Sequence, residues 1–462
     1  MRHGAEIVAV KLASMKIAVI GAGLAGLSAA WLLGRRAHCE VVLHERQAQP
    51  GFTAASVSLP GPDFPPGACV DVPLRVFYPG YYPTLSWLYR ALGVDSEPVS
   101  YATTFLDATG KAYFRYSNLR VGARSWSVPA WSQLAQPDAR AIVADALRFH
   151  LRARRAQRAA AQGAPDEGFG GLTVAQWAAR ERLSQAFIEG LLLPAICTVC
   201  TCPTALAREL PAAVAADYLL RGLSREAVRR ARAGADDVQA RLLSGIPGRR
   251  FGLSIESVRP AGHQVLLRDA QGQVQAYDHV VFATTAPHAA RMLGHGTHAS
   301  DPEARVLAGF RTTSVEVVTH RDPACMPARR RDWSSVTLRV DPEREGPEST
   351  IWINAVQPAL RGAPDVFQSV SPHRTPRPDT VLGQARFERP VVDARSQAAL
   401  AALLRLHEER ERRVWFCGAW AQAGVPLLES AVRSAVEVAR RLGAPLPAAE
   451  APDERAHLQR VS

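Results

Sequence analysis

The sequence predicts an α/β fold: a βαβ domain with a mixed α+β domain inserted into it. Three observations carry this. A short apolar, β-branched run at Ile17–Ile20 is followed by a glycine turn, a mostly apolar helix-forming run from Leu24 to Leu33 and a second apolar strand at Val41–Leu43. From Arg250 to Ala283 the period changes to that of strands, in FGLSIESV, QVLLRDAQG and HVVFATT, with Gly272 in a hairpin-like turn. The strand-like VWFCGAW then leads through a Gly-Val-Pro turn into a helix from Leu427 to Leu442.

The first turn is the most informative element. Gly21-Ala22-Gly23-Leu24-Ala25-Gly26 is GxGxxG placed directly after a strand and opening a helix. Gly21 permits the tight turn, Gly23 lets the backbone approach a pyrophosphate, and Gly26 lets the helix pack closely on the strand. The helix opening, with Leu24 and Ala25, offers unpaired N–H groups and a partial positive charge to phosphates. Glu45 ends the second strand 24 residues after Gly21, where a carboxylate accepts hydrogen bonds from ribose hydroxyls. That acid disfavours a 2′-phosphate, and so NADP; it does not separate NAD from FAD.

The intervening sequence is less regular. PGFTAAS and LPGPDFPPGA are loops. A helix is expected over roughly 141–161, with Ile142, Val143, Leu147 and Leu151 on one face and arginines on the other. After the loop GAPDEGFGG, helical sequence continues to about Arg232. Between about 310 and 395, strand-like runs (SVEVVTH, STIWINAV) alternate with Pro-rich loops. Segments 15–75, 232–295 and 408–445 are assigned to the first domain, and 76–231 and 296–407 to the second. Residues 1–14 and 446–462 are expected to be disordered tails.

Composition narrows the class. The 462 residues are 47% hydrophobic and 21% charged, ordinary for a globular enzyme, and no run is long enough to span a bilayer. The first residues, MRHGAEIVAVKLAS, lack a cleavage site, so a cytoplasmic location is expected. The net charge of +12 is almost wholly arginine, the only lysines being Lys11, Lys16 and Lys111. It favours anionic partners, yet no nucleic-acid module accompanies it. The basic helix around Leu147–Arg158 could rest on the inner face of a membrane, although charged, solvated helix faces are commoner. Seven scattered cysteines fit reduced thiols, and Cys197, Cys200 and Cys202 lack a fourth metal ligand.

Further segments resemble the FAD-dependent flavin amine oxidase and phytoene desaturase superfamily. Glu45-Arg46 with Pro50-Gly51 resembles its acid, spacer and Gly-Gly loop. FGLSIESV resembles its returning strand, with Ile255 where the backbone meets the adenine, and Asp278–Ala283 its D-x-V-V-x-A strand. Phe416–Trp420, Gly424–Pro426 and Leu428–Val432 resemble its C-terminal flavin motif. The resemblance implies a Rossmann-like FAD-binding domain with an amine oxidase-like substrate domain. It implies FAD held by Gly21, Gly23, Leu24, Ala25, Gly26, Glu45, Arg46, Gly51, Ile255, Gly418, Glu429, Ser430 and Val432. Val70-Asp71, LRFHLR, LLLPAICTV, VTHRDPACMPARRRDWSS and FERPVVD resemble a bacterial group encoded beside cyclopropane-fatty-acid synthases, which includes fatty-acyl desaturases. Four departures stand out. Pro50-Gly51 replaces Gly-Gly, and Ser434-Ala435 replaces Ser-Gly. AQAGVPLLES stands where the group has an aromatic, glycine, His-Glu-Asp run, and the loop after Val70-Asp71 reads VPLRVFYPGYYP. The last two segments are expected to border the flavin, where they would change substrate or chemistry.

What the resemblance implies is hydride transfer from an apolar, acyl-like substrate to flavin. Many amine oxidases of the superfamily keep a lysine near the flavin, and this chain has none after Lys111. An amine oxidase, a redox-neutral isomerase and a non-catalytic flavoprotein are the alternatives. No protein acid or base stands out. Arg75, Trp352, Asn354 and Trp420 are expected at the cavity, with walls from Trp87, Phe105, Phe114, Trp126, Trp131, Trp177 and Phe187. No metal is expected.

Overall fold

The computed structural model describes residues 14–122, 124–162, 168–222, 226–294 and 302–447. The expected tails lie almost wholly outside these. The chain opens with β1 (Met15–Ile20), α1 (Leu24–Leu33) and β2 (Cys39–Glu45), the predicted βαβ unit. Further along lie α2 (Pro83–Ala91), the hairpin strands β3 (Ala112–Val121) and β4 (Arg124–Pro129), and α3 (Pro137–Ala161). β5 (His279–Phe282) and α4 (Leu428–Arg441) complete the elements that position the site.

A five-stranded, fully parallel sheet runs in the order Gly248–Phe251, β2, β1, β5, Val414–Phe416. Parity along β1 decides which face each side chain enters: Ile17 and Val19 pack with α1 and α4, while Ala18 and Ile20 pack on the other face. α1 is apolar all round because it lies between the sheet and α4, and all ten of its residues are buried. A three-stranded antiparallel sheet, Ile255–Ala261, Gln264–Asp269 and Val274–Tyr277, covers the second face through Val258, Val265 and Leu267.

The second large sheet has eight strands. Its order is Val381–Pro390, Thr312–His320, Phe367–Val370, Glu348–Trp352, Val336–Arg339, Thr103–Leu106, β3, β4. The fold is thus a Rossmann-like parallel sheet beside a mixed α+β layer, as the sequence predicts.

Three local expectations are corrected. STIWINAV is strand only to Trp352; Ile353–Val356 coils into a helical turn, pinned by the Asn354 amide, which bonds the carbonyls of Leu360, Ala363 and Pro364 and accepts from Val366 N–H. Helix does not continue to Arg232, because Arg229–Ala231 is a strand paired with Ser96–Pro98. α3 buries Ile142, Asp145, Phe149, Ala153 and Ala156, and leaves Leu147 and Leu151 exposed. The Asp145 carboxylate, accepting from Ser184 N–H at 2.7 Å, holds the helix in this rotation.

Candidate functional site

The C-terminal ends of β1, β2 and β5 open onto one crevice, where ligands bind in open parallel sheets. The three glycines of the first turn do different work there. Gly21 has φ +104°, and a Cβ on it would meet Ala283 O at 3.0 Å. A Cβ on Gly26 would lie 1.8 Å from Gly21 O, so this glycine is a packing requirement. Gly23 has an ordinary φ of −73°, and a Cβ there would find nothing within 4 Å. What its missing side chain provides is open space against the start of α1, whose N-cap has no side-chain cap.

That space belongs to a cavity of about 730 Å³, a size typical of cofactor sites. Gly21, Gly23, Glu45, Arg46, Gly51 and Ile255 of the predicted set line it. Leu24 and Ala25 are buried in the first turn behind it, beside Gly26. Glu45 is held by two backbone amides, Ala22 N–H at 2.8 Å and Gln47 N–H at 3.0 Å.

Sequence reasoning missed part of the wall: Thr284, Thr285, His288 and Arg291 after β5, and Gln384–Phe387 from the eight-stranded sheet. The first group was within reach, since it directly follows the D-x-V-V-x-A strand. The second comes from another sheet, and no local signal marks it. Arg46, Arg291 and Arg386 set positive charge around the cavity, facing Glu45 and Glu256. His44 also lines it, its pKa pushed down to about 4 by burial and by Arg250. The buried Thr285 hydroxyl has no partner in the protein. A cradle with room at Gly23, cationic walls, a positioned carboxylate and an orphaned hydroxyl fits a dinucleotide.

The C-terminal motif plays a mixed part, outside the wall of this cavity. Gly418 N–H donates to Ser434 Oγ at 2.9 Å, and Ser430 Oγ donates to Val425 O at 2.8 Å. Val432 is fully buried. The Glu429 carboxylate accepts from Thr84 N–H at 3.0 Å and Leu85 N–H at 2.9 Å, so it caps α2 from 345 residues away. Burial raises its pKa, and the two amide bonds oppose this. Glu429→Ala is expected to cost about 3 kcal/mol or more, since it leaves two buried N–H groups unpaired. Urea unfolding checks this; a cost under about 1 kcal/mol would show that the cap does not hold α2.

The four cavity candidates separate. The Arg75 guanidinium lies over the Phe52 ring, 4.1 Å from its centroid, and donates to Phe52 O. Its Nε is buried without a partner, another orphaned donor beside the Gly51 loop. Trp420 donates from Nε1 to Thr284 O at 2.9 Å and packs on Phe310, behind the cavity wall. Trp352 and Asn354 line neither this cavity nor its rim. Trp352 bonds Asp365 at 2.9 Å and meets Trp333 edge-on, and both residues face a different pocket beside Arg330.

A second cavity, of about 150 Å³, lies between the eight-stranded sheet and two helices, Leu193–Cys200 and Ala212–Gly222. Tyr78, Tyr101, Tyr116, Tyr218, Phe105 and Leu338 are among its walls. Tyr78 and Tyr218 share a hydrogen bond between their hydroxyls. Tyr218 packs on Tyr81 at 4.7 Å, and Tyr81 Oη accepts from Val425 N–H at 3.1 Å, in the C-terminal turn. Burial raises the pKa of Tyr78 and Tyr218 well above the usual phenol value, so both stay neutral. Of the other predicted wall aromatics, Trp87, Phe114, Trp177 and Phe187 are core, Trp126 is half-buried and Trp131 is exposed.

Cys197, Cys200 and Cys202 sit at the end of Leu193–Cys200 as free thiols. Bonding to Cys202 and burial raise Cys197, which makes it unreactive. Among the described residues no cluster of His, Cys, Asp or Glu is arranged to hold a metal, and no helix is long and apolar enough to cross a membrane.

A family model described as an NAD(P)-binding Rossmann-like domain matches residues 19–92. No curated protein matches the sequence. Three solved structures share the fold over almost the whole chain. One is an Exiguobacterium protein provisionally assigned as a protoporphyrinogen oxidase, at TM-score 0.64 and 14% identity, covering 93% of this chain and 99% of that one. Another is putrescine oxidase bound to putrescine, at 0.62 and 13%, covering 93% and 99%. A third is a fatty acid isomerase from P. acnes, at 0.62 and 13%, covering 92% and 98%. The chain therefore has an amine oxidase-like fold.

Proposed function

We propose that the chain is an FAD-dependent oxidoreductase that removes hydride from an apolar, acyl-like substrate. The dinucleotide cradle supports FAD as the cofactor, held by Gly21, Gly23, Glu45, Arg46, Gly51 and Ile255. Bound there, FAD would supply the hydride acceptor. The chain's own contribution is to orient the substrate and exclude water.

One observation carries the choice of substrate. The second cavity is walled by neutral phenols, aliphatic side chains and uncharged polar groups (Thr103, Asn118, Ser125, Ser127, Thr198), and its one carboxylate, Glu226, is exposed at the margin. A cationic amine would find no buried counter-charge there, whereas an uncharged acyl chain needs none. Neither described lysine lines it: Lys16 pairs with Glu40 at the N-terminal end of the central strand of the parallel sheet, and Lys111 lies in the turn before β3. That a fatty acid isomerase shares the fold is in keeping with an acyl substrate, while the putrescine oxidase likeness makes diamines the necessary control.

The test is anaerobic reduction. Purified protein reconstituted with FAD should be yellow, and acyl lipids should bleach it while putrescine does not. Failure to bind FAD removes the proposal entirely; bleaching by putrescine alone replaces its substrate.

A further inference from the structure

The hairpin β3–β4 has its amphipathic pattern reversed. Cross-strand register pairs Asn118 with Ser127, Arg120 with Ser125 and Leu119 with Trp126. Asn118 and Ser125, half-buried, line the tyrosine cavity, with Ser127 exposed at its margin. Leu119 and Val121 point the other way, 56% and 62% exposed. An edge hairpin normally shows its polar face to water. Five of the seven large apolar side chains exposed among the described residues fall between Leu119 and Leu151, including Trp131 at 79%. Residues 115–158 also carry nine arginines and two aspartates, more than half of the chain's +12.

We propose that this hairpin docks on an anionic lipid surface, so that the cavity behind it opens toward the bilayer. Apolar side chains at the tip of a basic segment suit the interface between headgroups and acyl chains. Exposed apolar side chains at a hairpin tip suit a contact surface, and the surplus of arginine in the same segment selects an anionic one. The placement of the cavity rests on the acyl-substrate reading above; the docking itself does not.

Sedimentation of the full-length protein with vesicles tests this. Wild type should bind phosphatidylcholine vesicles containing phosphatidylglycerol about tenfold or more tightly than phosphatidylcholine alone, and less well as salt rises. Leu119→Ser/Val121→Ser should lose about tenfold or more of that binding with an unchanged melting transition. Should that variant not fold, Leu119→Trp reports instead, through a vesicle-induced blue shift larger than the one wild type shows from Trp131. The proposal fails if wild type ignores anionic vesicles, if the serine variant binds as wild type does, if the added indole shows no shift, or if the patch proves to join two copies of the chain. Docking without oxidation of any acyl substrate would sink the substrate reading and leave the lipid surface standing.

Discussion

Gly23→Val is expected to fold like wild type and to lose FAD. The two properties separate because the backbone at Gly23 is unstrained and the space around its missing Cβ is empty. A Cβ there meets no protein atom within 4 Å, so apo stability should change by no more than about 1 kcal/mol, the usual scale for a changed N-cap residue. The branched side chain would instead fill the room left for the pyrophosphate. Hydrogen bonds to charged groups are worth about 1.5–3 kcal/mol each, so losing two weakens FAD by about a hundredfold or more. Gly26→Ala should behave in the opposite order: its methyl would lie 1.8 Å from Gly21 O, and overpacking of this kind costs about 1–3 kcal/mol before any ligand is added. FAD titration and urea unfolding on both variants check the pair. If Gly23→Val binds FAD within about threefold of wild type, the pyrophosphate does not lie where the cradle suggests.

This contrast also marks what the sequence could and could not reveal. The motif is local: strand, turn, helix, strand and Glu45 follow within 31 residues of Met15, and each has its own backbone or packing reason. Elements fixed by distant partners were not legible. Nothing in LLES tells that Glu429 caps a helix at Thr84, nor in VLGQARFERP that Gln384–Phe387 closes the cavity. α3 was placed correctly along the chain, but its buried face was rotated. Leu147 and Leu151 look like core by period, yet a buried aspartate, Asp145, bonded to a neighbouring segment determines the contact. For Trp352 and Asn354 the neighbouring sequence alone suggests the cavity. Asn354 is instead occupied fully by the loop carbonyls of 360–364, and the bond to Asp365 with edge-on packing against Trp333 accounts for Trp352.

Acid is expected to unfold the protein more steeply than carboxylate titration alone would, because three histidines are buried in the neutral form. Burial lowers His44 and His320 to about 4 and His407 to about 3, against an ordinary value near 6.5. Geometry supports this independently. His320 Nδ1 accepts from Asp322 N–H at 3.1 Å, and His407 Nε2 accepts from Phe416 N–H at 3.2 Å, so neither nitrogen can take a proton without breaking its bond. Below pH 6.5 the unfolded chain binds protons that the folded chain refuses. The stabilisation is therefore full above that pH and is lost as pH falls toward 4. Each fully coupled histidine contributes a slope of about 1.4 kcal/mol per pH unit, so the three together approach about 4. His407→Gln should reduce the slope by about a third. The substitution supplies an amide oxygen to accept the Phe416 N–H, so its effect on stability at pH 8 should be far smaller than its effect on the slope. Urea midpoints between pH 8 and pH 5 measure both quantities. A wild-type profile flat down to pH 5 would mean that these rings take up protons in the folded state, and that the segments around β2, His320 and Phe416 open far more readily than their burial implies.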